Sequence, residues 1–560
     1  MNGIIVLLIG GIALLSGYFF YGKVLSKLFG VDPSRKTPAV ELEDGVDYVP
    51  TNRQVVFGHH FASIAGAAPI VGPIVASMFG WVPVLLWCIV GGIFFGGVQD
   101  FGSMFASVRN KGRSIGYIIE LYVGKAGKKL FLLFSWLFCI LVIAAFGDIV
   151  AVSFNGIGAN GVHQFINGAT ASTSVLFIFV SVAFGFYIKK KQPTSMTMTI
   201  IAILLLVACI TLGMLFPSYI PRSAWLVIVF LYIMVASVTP VWALLQPRDF
   251  LNSFLLIFMI VAAMVGIFVA HPAMNLPAFA GWNVKGQNIF PFLFVTIACG
   301  AVSGFHALVA SETSSKQVKS EKDMLPISYG GMLVESLLAV IALVCVGAKV
   351  GTVAAGDGAP VIFAKSVAAF LGVLGIPNEL SSTIITLAVS AFALTSLDSV
   401  ARVARLSFQE FFLDSDTDIS KLSGWKKICV NKYFATILTL VLGYILAKIG
   451  YANIWPLFGS ANQMLSALAL CAVALFMQNT NRNGKIVWIP MFIMLAVTYT
   501  ALTQIIIKNF ATLGSGTFVF GTNGMQLIFG ILILALGLDI GIRAVRKLFF
   551  NKDKTAATAV

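Results

Sequence analysis

The chain holds 560 residues, 59% of them apolar and 11% charged, against about a quarter charged in a soluble domain. No soluble interior of this size hides so much hydrocarbon, which excludes an ordinary cytosolic enzyme, a disulfide-framed secreted domain and a disordered chain. The surplus of 37 Lys and Arg over 22 Asp and Glu, a net +15, fits basic cytoplasmic loops better than a nucleic-acid partner.

About 20 apolar residues cross a bilayer as a helix. Fifteen stretches approach that length: 3–22, 58–80, 81–108, 130–153, 173–188, 198–216, 225–247, 250–270, 288–311, 327–348, 383–401, 433–450, 456–477, 486–507 and 525–545. The first lacks a basic segment before it and reads as a retained helix, not a cleaved signal. A further run, 359–376, carries Lys365 and reads as a re-entrant or extracellular helix. Alternate loops collect the bases, among them Arg35, Lys36 and Arg53, then Arg109 to Lys129, then Lys189–Lys191, then Lys316, Lys319 and Lys322, then Arg402 to Lys432. This asymmetry predicts a multi-pass protein of the plasma (inner) membrane, N-terminus outside and C-terminus cytoplasmic. The seven cysteines form no CxxC pair, so neither a disulfide framework nor a zinc ribbon is supported.

Two spans look broken. Stretch 58–80 carries His59, His60, Pro69, Pro73 and several glycines, and stretch 225–247 carries Pro240 and Pro247. Backbone freed by such residues must line a cavity or be buried in protein. Interrupted helices in two halves point to a transporter site. Five helices follow from 58 to 216 and five from 225 to 401, starting on opposite sides. The predicted fold is therefore an all-α polytopic bundle of the leucine-transporter type, a 5+5 inverted repeat with extra N- and C-terminal helices. Residues 1–57 supply a first helix and loop, 58–216 and 225–401 the repeats, 402–432 a cytoplasmic linker and 433–560 accessory helices.

Ionisable groups inside spans are costly and mark function by default. His59 and His60 open the first core helix, and His306 lies late in the eighth. On that helix Cys299, Ser303, His306 and Ala310 would share one face. The histidines can carry a proton, bind a metal as His59, His60 and His306 together, or hydrogen-bond freed carbonyls. Asp100 lies nine residues before Arg109, about 13 Å along a helix, too deep for easy snorkelling; Glu335 and Asp148 are also acids within spans. Asp398 with Arg402 and Arg405 reads as an interfacial ion pair and anchor. Asn462 and Gln463 read as helix cross-links. No Walker A pattern occurs, so ATP drive is not encoded, and neither HExxH nor GxSxG is present.

The stretches NRQVVFGHHFASIAGAAPIVGPIVASMFGW (52–81), RNKGRSIGYIIE (109–120), PVWALLQPRDFLNSF (240–254), CGAVSGFHALVASETSSKQ (299–317), LTSLDSVARVAR (394–405) and WPLFGSANQMLSALAL (455–470) resemble the carbon starvation protein CstA family. The resemblance implies nutrient uptake during carbon limitation, with peptides or pyruvate as substrates and proton symport for pyruvate. It also implies kinship with the amino-acid/polyamine/organocation superfamily.

The function expected is a secondary importer of a small carboxylate or short peptide, working by alternating access. Ala65, Gly66, Ala67, Ala68 and Pro69 would line the substrate on one side, and Thr239, Pro240, Val241 and Trp242 on the other. His59, His60, Ser63, Asp100, Ser303 and His306 would form the gate and coupling site, with a proton as the coupling cation and no cofactor. The partners expected are a small-molecule substrate and the bilayer. A channel or ion-gating sensor, and a membrane enzyme or metal-binding protein built on the histidines, are the alternatives.

Overall fold

The computed structural model describes every residue except 46, 159–160, 192, 240–243, 349, 352, 354–356, 414–423 and 551–560. Pro240, Val241 and Trp242 therefore lie outside the described residues. The described residues form a bundle of helices with one two-stranded hairpin, Asn283–Val284 paired with Gln287–Asn288. In chain order the principal helices are α1 (Gly3–Phe29), α2 (Arg53–Ile64), α3 (Ala68–Ala76), α4 (Trp81–Arg109), α5 (Ile115–Val123), α6 (Lys125–Ser153), α7 (Phe165–Lys191), α8 (Ser195–Leu215), α9 (Arg222–Val238) and α10 (Leu245–Ala270). There follow α11 (Ile289–Thr296), α12 (Gly304–Glu312), α13 (Glu321–Gly347), α14 (Ala359–Gly372), α15 (Asn378–Phe411), α16 (Lys432–Ala447), α17 (Tyr451–Asn479), α18 (Lys485–Gly514) and α19 (Phe520–Phe549). Polar side chains start several of them: Asn2, Asn52, Ser114, Thr194 and Asn431 each accept from an amide of the first turn, satisfying a donor the helix leaves free.

Among the described residues, 11 helices have the length and apolarity of a membrane span, or 12 when the bent pair α2–α3 counts as one. Fifteen full-length spans were expected. The difference lies in three places. Stretches 225–247 and 433–450 form the shorter helices α9 and α16. Stretch 288–311 is not one helix: α11 ends at Thr296 and α12 begins at Gly304.

The broken spans are thus only partly those predicted. α2 and α3 meet at a 47° bend, where Pro69 sits in the first turn of α3 and starts a helix. The second predicted break behaves differently. α9 ends at Val238 and α10 runs unbroken from Leu245 to Ala270. Pro247 falls in its first turn, where its missing N–H removes no helical bond. The second break inside a predicted span is 297–303, on a helix expected to be continuous.

The three most buried spans, α17, α6 and α15, form the centre. α6 and α15 pack along one another, and α17 packs on α6. α7 and α8 make a hairpin at the rim, where Phe179, Leu204 and Leu215 are exposed as lipid-facing side chains should be. Three widened π-turns, Gly17–Tyr21 in α1, Gly92–Gly96 in α4 and Leu325–Tyr329 in α13, meet at one buried side chain. The Tyr329 hydroxyl donates to the carbonyls of Gly17 at 3.4 Å and Ile93 at 3.3 Å, one in each of the other two π-turns. All seven cysteines are unpaired; six are buried and Cys429 is half-buried.

The two breaks touch. A Cβ added to Gly72 of α3 would lie 2.6 Å from the Thr296 carbonyl oxygen and 3.1 Å from Ile297 Cα. Backbone cannot yield as a side-chain tip can. Gly72→Ala should therefore lower stability in detergent by about 1–3 kcal/mol, read as a fall in the thermal unfolding midpoint. Gly58→Ala, with nothing within 4 Å of the new carbon, should leave the midpoint unchanged or slightly raised.

Candidate functional site

The site is built where α2–α3 crosses α11–α12. α3 packs on α11, and α2 on α12. Ala65, Gly66, Ala67, Ala68 and Pro69 are all buried. A Cβ on Gly66 would meet Phe146 of α6 at 2.8 Å and Ser396 of α15 at 2.9 Å, and one on Gly300 would lie 3.8 Å from Pro69 Cα. The first break thus faces α6, α15 and the second break. Thr239, at the end of α9, gives its carbonyl to the Arg402 guanidinium.

Unwinding 297–303 frees backbone groups, and side chains from distant elements take them up. Gln99 of α4 donates to the Ser303 carbonyl at 2.9 Å. Trp455 donates to the Thr296 carbonyl at 3.4 Å, and Gln463 to that of Phe294. Asn462 accepts from the Phe305 amide at 3.1 Å and donates to Ser303 Oγ at 3.1 Å and Cys299 Sγ at 3.3 Å. Asn462 and Gln463 do cross-link helices, and what they hold together is the break.

Next to it lies a buried ionisable trio. His306 Nδ1 is 2.8 Å from Asp100 Oδ2, and its Nε2 is 3.1 Å from Glu335 Oε2; none of the three side chains is exposed. Asp100 comes from α4, Glu335 from α13 and His306 from α12, so three helices are joined by one imidazole. Gln99 Nε2 adds a bond of 3.1 Å to Asp100 Oδ1. Each of these groups can gain or lose a proton in place, and each change alters the charge enclosed between the helices.

The other predicted coupling residues go elsewhere. His60 Nδ1 pairs with Ser314 Oγ at 2.8 Å, and its ring lies against Gly331, one turn before Glu335 on α13. His59 faces Asp249 of α10 at 3.9 Å. The Ser63 hydroxyl donates to the His59 carbonyl of its own helix at 2.8 Å. The predicted common face of Cys299, Ser303, His306 and Ala310 is interrupted by the break, though Cys299 Sγ and Ser303 Oγ remain 3.4 Å apart. Metal-ligating atoms within 4.8 Å of one another come from Cys299, His306 and Glu335, not from the three histidines.

A second buried charge cluster was not foreseen. Arg248, in the first turn of α10, is 1% exposed and pairs with Asp398 of α15, which is fully buried. The Arg248 guanidinium also donates to the Tyr232 hydroxyl of α9 at 2.6 Å and to Asp249 at 3.0 Å, while Tyr232 donates to Asp398 at 3.0 Å. Asp398 is therefore no interfacial anchor for Arg402 and Arg405. Those two arginines instead reach the carbonyls that end α9: Arg402 bonds Ala236 at 2.8 Å and Thr239, and Arg405 bonds Ser237 at 3.0 Å. The signal available in the sequence was an Arg–Asp pair directly after Pro247, which a reading of loops places at the surface.

Two crossing helices unwound inside an apolar bundle, with titratable groups sealed beside the crossing, make a membrane transporter. The chain belongs to the carbon starvation protein CstA family, whose profile matches residues 2–352 and 347–501. It is 33% identical to "Peptide transporter CstA" of Escherichia coli (strain K12), over 87% of this chain and 79% of the relative. With the Bacillus subtilis (strain 168) protein of the same name it shares 30%, over 98% and 97%. With "Pyruvate/proton symporter BtsT" of E. coli it shares 32%, over 81% and 75%. Among solved structures, a mutant of the Eremococcus coleocola manganese transporter superposes with TM-score 0.51 at 12% identity, covering 90% of this chain and 99% of that one; this likeness is one of fold.

Removing Arg248 strands two buried carboxylates, Asp398 and Asp249. Arg248→Met should cost about 3–5 kcal/mol, whereas Asp398→Leu, which leaves Arg248 paired with Asp249, should cost less. Unfolding in detergent, followed by tryptophan fluorescence, checks the order of the two variants.

Proposed function

We propose that the protein imports a small carboxylate such as pyruvate, or short peptides, by proton symport. The observation that carries this reading is the Asp100–His306–Glu335 trio sealed against a broken-helix crossing. The names of the relatives supply the substrate class. Substrate sits between Ala65–Pro69 and the unwound 297–303. Both α3 and α12 begin at that gap, so two helix N-termini direct amide dipoles toward it. Each favours an anion by about 0.3–1 kcal/mol. The small residues at both breaks let a carboxylate approach backbone donors.

The inverted repeat has its second member opening at Ile289 rather than at 225. One set runs α2–α3, α4, α5, α6, α9, α10, and the other α11–α12, α13, α14, α15, α16, α17. Each order is broken helix, long helix with a π-turn, short helix, long helix, short apolar helix, long helix. The α7–α8 hairpin is an insertion in the first set. Counting both broken pairs and both short helices as crossings returns fifteen spans, with the N-terminus outside and the basic loops cytoplasmic. The sets then cross the membrane in opposite senses, and rocking of one group of helices on the other exposes the gap to each side in turn.

Coupling follows from the trio. His306 faces Asp100 on α4, Glu335 on α13 and Cys299 in the break, with His60 on α2 nearby. A proton arriving with substrate adds a positive charge between two carboxylates and lets the three helices stay together; its loss to the cytoplasm releases them.

Purified protein in liposomes with an inward proton gradient should accumulate labelled pyruvate or a dipeptide with saturable kinetics, and a protonophore should abolish accumulation. Uptake indifferent to the gradient would exclude symport. His306→Ala should abolish gradient-driven accumulation while leaving counterflow exchange partly intact; accumulation that survives the change removes His306 from coupling.

A further inference from the structure

Two cavities outside the transport site share residues and differ in character. The first, about 760 Å³, opens on the face that carries the basic loops. Arg35, Lys36, Arg53, Lys319 and Lys322 line it, with Asp323 as its single acid. None of the five cations has a carboxylate at ion-pair distance among the described residues. The second cavity, about 490 Å³, is a groove between α1, α2 and α13. Its walls are apolar, with Leu14, Tyr18, Phe57, Leu333 and Leu337 prominent. It opens outward beside Leu15 and Phe19, which are 60% and 54% exposed. Arg53 and Gln54, at the start of α2, line both cavities.

A basic chamber at the membrane surface that continues into an apolar groove matches one kind of molecule. We infer that this is a binding site for an anionic phospholipid, its phosphate-bearing head among Arg35, Lys36, Arg53, Lys319 and Lys322 and an acyl chain in the groove. The charges suit it: bases near a membrane surface attract acidic lipid, each by a modest increment that adds across a cluster. The groove suits it too, because hydrocarbon has no polar partner to satisfy there. A soluble phosphate compound would use the chamber and leave the groove unused. A neutral lipid would use the groove and leave five cations unanswered.

The position gives the lipid a lever. Phe57 in the groove wall lies on α2, two residues before His59 and on the half-helix that ends at the first break. Leu333 and Leu337 flank Glu335 on α13. An acyl chain there packs α1 against the inner half of the broken helix and the helix that carries a member of the trio. Lys319 lies on the segment that joins α12 to α13 and Lys322 in the first turn of α13, and a headgroup bound to them and to Arg53 ties the two broken spans at their basic ends.

The test uses delipidated, purified full-length protein in neutral detergent. Native mass spectrometry follows titration with phosphatidylglycerol, with phosphatidylcholine of the same chains, and with inorganic phosphate as competitor. Phosphatidylglycerol should bind at least about tenfold more tightly than phosphatidylcholine. The triple variant Arg53→Gln, Lys319→Gln, Lys322→Gln should lose that preference. Gly11→Leu should weaken phosphatidylglycerol binding with every charge in place, because Gly11 lines the groove and has only Leu337 within 4 Å of a built Cβ. Equal binding of the two lipids overturns the proposal, as does an unchanged preference in the triple variant. Displacement of phosphatidylglycerol by millimolar inorganic phosphate, with Gly11→Leu behaving as wild type, also overturns it and assigns the chamber to a soluble anion. The altered side chains are exposed or border open space, and a thermal midpoint within a few degrees of wild type confirms that each variant is folded.

Discussion

Peptide groups that leave a helix inside hydrocarbon must find partners within the chain, and most of this architecture answers that demand. Each unsatisfied group would cost several kcal/mol where no water is at hand. The unwound 297–303 is tolerated because Gln99, Trp455, Asn462 and Gln463 close around it from α4 and α17. The same rule acts at the end of α9, where Arg402 and Arg405 take up the last carbonyls. Tyr329 adds a bond to one carbonyl of α1 and one of α4. α17 is the most deeply enclosed helix for this reason: it is the wall against which a break can be held open.

Charge obeys a harsher form of the rule. The bundle encloses two ionic groups, and they differ in make-up. Arg248, Asp398 and Tyr232 tie α9, α10 and α15 with a guanidinium that stays protonated, so this cluster is a fixed strut. Asp100, His306 and Glu335 tie α4, α12 and α13 through an imidazole, whose charge changes near neutral pH in ordinary surroundings. The permanent pair lies among helices away from the second break. The trio lies next to it.

The membrane character and the first break were legible because they are local. A continuous apolar run declares a span, and Pro69 with its neighbouring glycines declares a bend. The second break was hidden because nothing in its own residues forces it. Stretch 297–303 holds no proline, and its supports stand more than 150 positions away in the chain, as the 159 residues between Ser303 and Asn462 illustrate. Pro247 misled in the opposite direction, since a proline three residues into a helix looks the same in sequence as one that ends it. Asp100, Glu335 and His306 were each visible as costly residues in spans, but their meeting depends on a 206-residue separation between Asp100 and His306 that no periodicity encodes. Arg248 reads in sequence as a loop base because it stands alone between two apolar runs.

The cysteine pattern has a practical side. Six thiols are sealed in the bundle and Cys429, on the short helix Trp425–Val430, is the least buried. The native chain therefore offers one position for a fluorophore or spin label without prior removal of the others. Cys299 stands at the second break, 5% exposed, so an alkylating reagent reaches it when that gap admits solvent. Labelling kinetics at these two sulfurs would record the opening of the crossing against a built-in reference, in a molecule whose sequence is left untouched.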